Sequence, residues 1–155
     1  MCYTLGKEAR YFSLRRFSQQ ESHRYSAPRT DSETTRLGVN SFLDLDLSEQ
    51  RLGAIEALGW TVPTPIQAEA IPPGLAGTDV VGIAQTGTGK TGAFMIPALE
   101  RLRSGGGLQV LALCPTRELA QQVADDTALL AMGTNIRTAA IFGGVGYGPQ
   151  IEALE

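Results

Sequence analysis

Between residues 79 and 91 the chain reads Asp-Val-Val-Gly-Ile-Ala-Gln-Thr-Gly-Thr-Gly-Lys-Thr, and no other stretch restricts its fold as strongly. Asp79 to Ala84 is a continuous apolar run after a Gly/Thr turn, which predicts a buried parallel strand. Gln85 to Gly89 is a glycine-rich loop, and a helix is expected from about Lys90 to Leu102. Strand, loop and a helix that opens on Gly-Lys-Thr make a phosphate-binding unit. Gly87 and Gly89 allow the loop to point successive N–H groups inward, with no Cβ in the way of a phosphate. The start of the helix adds the positive end of its dipole. Lys90 is then placed to reach β- and γ-phosphates, and the Thr91 hydroxyl to ligate Mg²⁺. The loop opens on Ala84 where the general pattern has glycine, which excludes some families that use it. Kinases, GTPases, transporters and motors all share this loop, so these residues leave its purpose open.

The same alternation continues downstream. Ser104 to Gly107 makes a loop, Leu108 to Cys114 reads as a second buried strand, and Thr116 to about Met132 as a helix. Asn135 to Phe142 is a third strand, Gly143-Gly144 a turn, and Val145 to Glu155 another helix. Strands alternating with helices imply right-handed crossovers, hence an α/β fold with a doubly wound parallel sheet and helices on both faces. Upstream, Phe42, Leu45, Leu47, Leu52, Ile55 and Leu58 recur at helical spacing, with Ser48 as N-cap and Gly59 as stop. Val62-Pro63-Thr64-Pro65 forces an extended segment. Ile66 to Ile71 suits a short helix, which Pro72-Pro73 is expected to end.

Charge divides the chain in two. Residues 1–40 carry seven Lys/Arg against four Asp/Glu, and the other 115 residues balance at −6. Ser13 to Thr35 is rich in Ser, Arg, Gln and Thr without apolar periodicity, so residues 1–40 are expected to form a disordered basic tail and 41–155 the domain. The single histidine, His23, lies in that tail without a candidate partner. Cys2 and Cys114 match no metal or redox spacing and read as reduced thiols. No apolar stretch approaches the roughly 18 residues of a membrane span. A cytoplasmic protein is expected, or an organellar one if the Ser/Arg-rich tail is a transit peptide, against which Glu8 and Glu21 count. An acidic domain that touches nucleic acid must do so through a few placed groups rather than bulk charge.

Several stretches together narrow the purpose. Ala84 to Thr91 resembles motif I of the DEAD-box ATP-dependent RNA helicases. Gly59-Trp60-Thr61-Val62-Pro63-Thr64-Pro65-Ile66-Gln67 resembles their Q motif, and Phe42 their isolated upstream aromatic. Pro115-Thr116-Arg117-Glu118-Leu119 is similar to motif Ia, and Gly143-Gly144 to the GG turn. The resemblance implies the N-terminal part of a RecA-like P-loop NTPase domain. It assigns Phe42, Pro65, Gln67, Gln85, Thr86, Gly87, Thr88, Gly89, Lys90 and Thr91 to ATP, with Thr91 also on Mg²⁺, and Lys90 and Thr91 to catalysis. An amide suits adenine, since Gln67 can donate to N7 and accept from the N6 amino group at once. Pro115, Thr116, Arg117, Gly143 and Gly144 are implied to face RNA, through contacts to its backbone that are blind to sequence. Leu119 is expected in the core, and Glu118 to orient its neighbours.

The resemblance also implies parts that do not occur after residue 91: Asp-Glu-Ala-Asp, Ser-Ala-Thr, and a second RecA-like domain with its arginine fingers. Hydrolysis needs them, so the parent is expected to be the enzyme and the 155-residue chain alone to be inactive. Two other readings stand beside this one: a different adenine-nucleotide P-loop ATPase, such as a DNA translocase, and a non-enzymatic nucleotide- or RNA-binding module. Gln67 with Pro115-Thr116-Arg117 speaks against the first.

Overall fold

The computed structural model describes residues 2–5, 10–13, 38–105 and 107–155, the first two segments by their backbone. Most of the tail expected over residues 1–40, His23 included, lies outside the described residues, as does Gly106.

A 3₁₀ turn over Phe42–Asp44 opens the domain, held by Asp44, whose carboxylate accepts from Asn40 and Ser41 N–H at 2.8 Å each. Helix α1 spans Glu49–Ala57 and starts on Ser48 as expected, whose hydroxyl accepts from Arg51 N–H. Gly59, at φ 72°, ends it: Gly59 N–H bonds Glu56 O at 2.8 Å and Trp60 N–H bonds Ile55 O at 3.1 Å. This is the paired bond pattern of a Schellman cap. It turns the chain back so that Trp60 stacks on Phe42, ring centres 6.4 Å apart.

Helix α2, Pro65–Leu75, corrects the expectation of a stop at Ile71, because Pro72 and Pro73 lie inside it. Ala76 N–H still bonds Pro72 O, and Thr78 N–H bonds Pro73 O, both at 3.0 Å. A proline within a helix costs on the order of 3 kcal/mol. Here the last turn is held by packing: Ala68, Ala70 and Ile71 are buried, and a Cβ on Gly74 would sit 2.8 Å from Pro97 of the next helix. That helix, α3 (Lys90–Glu100), is buried without interruption from Gly92 to Leu99. An apolar surface all round suits a helix at the centre of a domain.

Strand β3, Val110–Ala112, falls within the second expected strand. It pairs antiparallel with β1 (Cys2–Leu5), which pairs antiparallel with β2 (Arg10–Ser13), giving the order β2-β1-β3. The other two expected strands, 79–84 and 135–142, form no ladder among the described residues. Their side chains alternate between packed and exposed all the same, as do those of 110–114. Val110, Ala112, Cys114 and Ile136 pack on the core, while Val81, Ile83, Leu111, Leu113 and Ile141 face outward. Period-two alternation is the signature of a sheet covered on one face. Among the described residues one face of these segments is packed and the other is open, where the sequence predicts both to be buried.

Helix α4 (Arg117–Leu130) starts on Thr116 and buries Val123, Thr127 and Leu130 along one stripe. The short helix α5 (Tyr147–Glu152) closes the chain and buries none of its residues. Beneath α1, Arg51 ties three helices together. Its guanidinium donates to Glu100 at 3.2 Å and to the Leu130 carbonyl, while the Ser48 hydroxyl donates to the same carboxylate at 2.9 Å. Burial lowers the Arg51 pKa, and the Glu100 charge opposes that shift. Among the described residues no helix is long and apolar enough to cross a membrane.

Candidate functional site

Gly87 and Gly89 adopt φ 81° and 80°, the left-handed conformation that glycine takes without strain. Gly89 is the N-cap of α3, so the loop delivers Lys90 and Thr91 into the first turn of a buried helix. The Lys90 ammonium curls back over the loop, donating to Ala84 O at 2.7 Å and to Gln85 O. Partial burial lowers its pKa from the ordinary lysine value. Thr88 closes the loop on itself, its hydroxyl donating to Gln85 O at 2.8 Å. Gln85, Thr86 and Gly87 are exposed, and Thr88 to Thr91 are half-buried.

Against this loop stands the start of α2, with Pro65 in the first helical position. Gln67 is buried, at 2% exposure, and its amide works in two directions. Its Oε1 accepts from Thr64 N–H at 2.9 Å, and its Nε2 donates to Gly89 O at 3.1 Å. The Thr64 hydroxyl adds a bond to Thr88 O at 2.8 Å. Gln67 and Trp60 both lie on the backbone of α3: a Cβ at Gly92 would meet Gln67 Nε2 at 2.7 Å and Trp60 Cζ3 at 2.8 Å. Phe42 is in the core at 3% exposure, backing Trp60. The residues expected around a nucleotide therefore come together, with Phe42 and Gln67 set deeper than the exposed part of the loop.

A second cluster assembles from segments 26 residues apart. Pro115, Thr116, Arg117, Gly143 and Gly144 are all exposed. The Thr116 oxygen accepts from Leu119 N–H at 3.2 Å, which leaves its O–H free to donate outward. Gly144 has φ 84°, and a Cβ there would lie 2.9 Å from both terminal nitrogens of Arg117. The guanidinium thus rests on the diglycine turn. Leu119 packs against the core as expected, while Glu118 is exposed beside a shallow groove of about 620 Å³ lined also by Gln121, Asp125 and Phe142.

Three contributors carried no assigned role in the sequence: Thr64, Trp60 and Gln150. A Thr three residues before Gln is the spacing of a capping box, so Thr64 had a local signal. Trp60 had one in its neighbours, but Gln150, which bonds Phe142 and Gly146, had none. Among the described residues no group of three or more His, Cys, Asp or Glu side chains could hold a metal ion.

With this geometry in hand, three similarities apply. The family model of the DEAD/DEAH box helicase matches residues 64–155. Over 114 residues the chain is 49% identical to the ATP-dependent RNA helicase SrmB of Escherichia coli K12, covering 70% of this chain and 26% of that protein. The crystal structure of a DEAD box protein from the hyperthermophile Methanococcus jannaschii superposes with a TM-score of 0.72 at 42% identity, covering 75% of this chain and 32% of that one. The chain thus spans about a quarter of the length of the curated relative it matches. Its fold is that of the P-loop NTPases.

Proposed function

The chain belongs to the DEAD/DEAH box helicase family, and from that premise we propose that the protein is an ATP-dependent RNA helicase, coupling ATP binding and hydrolysis to RNA remodelling. One observation carries this reading: the 3.1 Å bond from Gln67 to Gly89 O, which joins an amide suited to adenine to the loop suited to phosphate.

Each atom of the Gln67 amide keeps one further hydrogen-bonding position, enough for one bidentate contact to a purine edge. Phe42 and Pro65 supply apolar contacts on the adenine side. Gln85, Thr86, Gly87, Thr88 and Gly89 offer backbone N–H groups to the phosphates. The Lys90 ammonium, held now by two carbonyls, exchanges them for β- and γ-phosphate oxygens and neutralises charge there. Mg²⁺ usually keeps several waters and phosphate oxygens as ligands, so the single Thr91 hydroxyl fits an ion that arrives with the nucleotide. When bound, that ion supplies charge neutralisation at the transferring phosphate.

On the other side, Arg117, the Thr116 hydroxyl, Pro115 and the Gly143-Gly144 backbone contact RNA phosphate and sugar without reading sequence. On this reading the segments 79–84, 108–114 and 135–142 belong to a doubly wound parallel sheet with helices on both faces, residues 41–155 forming part of the first RecA-like domain. A second RecA-like domain belongs to the full-length protein on this reading, and a cytoplasmic location goes with it. The deciding experiment is RNA-stimulated ATP turnover and duplex unwinding by the full-length protein, with Lys90→Ala alongside. Both activities should be lost in a variant that still folds. Turnover retained in folded Lys90→Ala would make the loop structural and sink the proposal.

A further inference from the structure

We propose that Gln150 is a positioning residue for the RNA backbone, acting through the Gly143-Gly144 turn. Its amide clasps the turn from both sides: Oε1 accepts from Phe142 N–H at 2.9 Å, and Nε2 donates to Gly146 O at 3.2 Å. The two bonded residues bracket the diglycine. Glycine loses more freedom on ordering than any other residue, so two in succession hold a fixed shape only if something outside them imposes it. Arg117 rests on one side of the turn, within 2.9 Å of where a Gly144 side chain would start. Gln150 clamps it from the chain that follows. Fixing the turn fixes both the direction of its N–H groups and the platform under the guanidinium. A ligand that meets this surface then avoids the cost of ordering it. An amide is suited to the task, since it offers a donor and an acceptor together and places no negative charge near a phosphate.

The inference rests on the reading of Arg117 and the diglycine as RNA contacts, and the test separates the two. In the full-length protein, Gln150→Met keeps the side-chain length and removes both hydrogen bonds. Binding of a labelled single-stranded RNA homopolymer should weaken about three- to tenfold, the usual worth of such bonds. ATP affinity and the melting midpoint should stay at wild-type values. The salt dependence should keep its slope, whereas Arg117→Ala should lower the slope by about one. Unchanged RNA affinity in Gln150→Met beside a weakened Arg117→Ala overturns the inference and leaves the RNA reading standing. Unchanged affinity in both variants overturns the RNA reading itself. A Gln150→Met protein that misfolds, or loses ATP affinity and melting midpoint along with RNA, also overturns it, since Gln150 would then support the domain and not the turn.

Discussion

Gln67 sits where two demands meet, because its amide braces the phosphate loop through Gly89 and caps α2 through Thr64 N–H. Replacing it with alanine should therefore do two things at once. Preference for ATP over GTP should fall by about 1–3 kcal/mol, the worth of a bidentate base contact. Affinity for both nucleotides should also drop, because the loop loses its brace. Competitive binding of labelled ATP and GTP separates the two effects, and equal affinity for the two nucleotides in the wild-type protein would refute the adenine assignment. The two loop glycines supply a sharper comparison. Gly87 and Gly89 share nearly the same φ, so an alanine suffers similar backbone strain at either, on the order of 1–2 kcal/mol. Only at Gly89 would the new Cβ collide, 2.6 Å from Gln67 Nε2, whereas at Gly87 nothing lies within 4 Å. Gly89→Ala should weaken nucleotide binding more than Gly87→Ala, and equal losses would show that the Gln67 contact contributes nothing. The residues of the loop itself were legible in the sequence because their chemistry is local: spacing alone sets glycines, lysine and hydroxyl in order. The depth of Gln67 and Phe42 was not legible, since burial depends on what packs above them.

The helices α2 and α3 act as one unit, because one carries the Gln67 amide and the other Lys90. They cross where Gly74 meets Pro97, and a Cβ on Gly74 would fall 2.8 and 2.9 Å from two ring carbons. Neither ring nor helix backbone can retreat far in a packed core. Gly74→Ala should thus destabilise the protein by about 1–3 kcal/mol, read by urea unfolding, despite the better helix propensity of alanine. A neutral or stabilising result would mean that the two helices part at the crossing without cost. Ser48 and Gly59 marked the ends of α1 correctly in the sequence, because caps are made by bonds within a few residues. Pro72-Pro73 misled for the complementary reason: a local breaker was overruled by burial against a helix some 20 residues away. The Arg51–Glu100 pair lies beyond any local pattern, its partners being 49 residues apart. At 4% and 14% side-chain exposure the pair is largely dry. Arg51→Ala leaves Glu100 with only its Ser48 donors and the Leu130 carbonyl without this one. It should cost about 3 kcal/mol or more in the same unfolding assay.

At the scale of the molecule, the alternation along 79–84, 110–114 and 135–142 leaves Val81, Ile83, Leu111, Leu113 and Ile141 about half exposed. Their spacing was legible as strand, but their exposure was not, because a continuous apolar run reads as buried on both faces. Full burial of such a side chain is worth about 1.5–3 kcal/mol. Covering the half of each that now meets water would add several kcal/mol across five residues, against the roughly 5–15 kcal/mol that holds a domain. Half-exposed apolar side chains on backbone that carries no ladder over 79–84 and 135–142 are also a template for pairing with another chain. The 155-residue polypeptide on its own should therefore bind a hydrophobic dye, associate as concentration rises, and unfold with a broad transition. Threonine at positions 81, 111 and 141, kept together in one variant, should reduce both dye binding and association without touching either cluster of site residues. Thermal melts and sedimentation of the two polypeptides decide it. A monomeric, sharply melting wild-type chain that binds no dye would mean that this face is already satisfied.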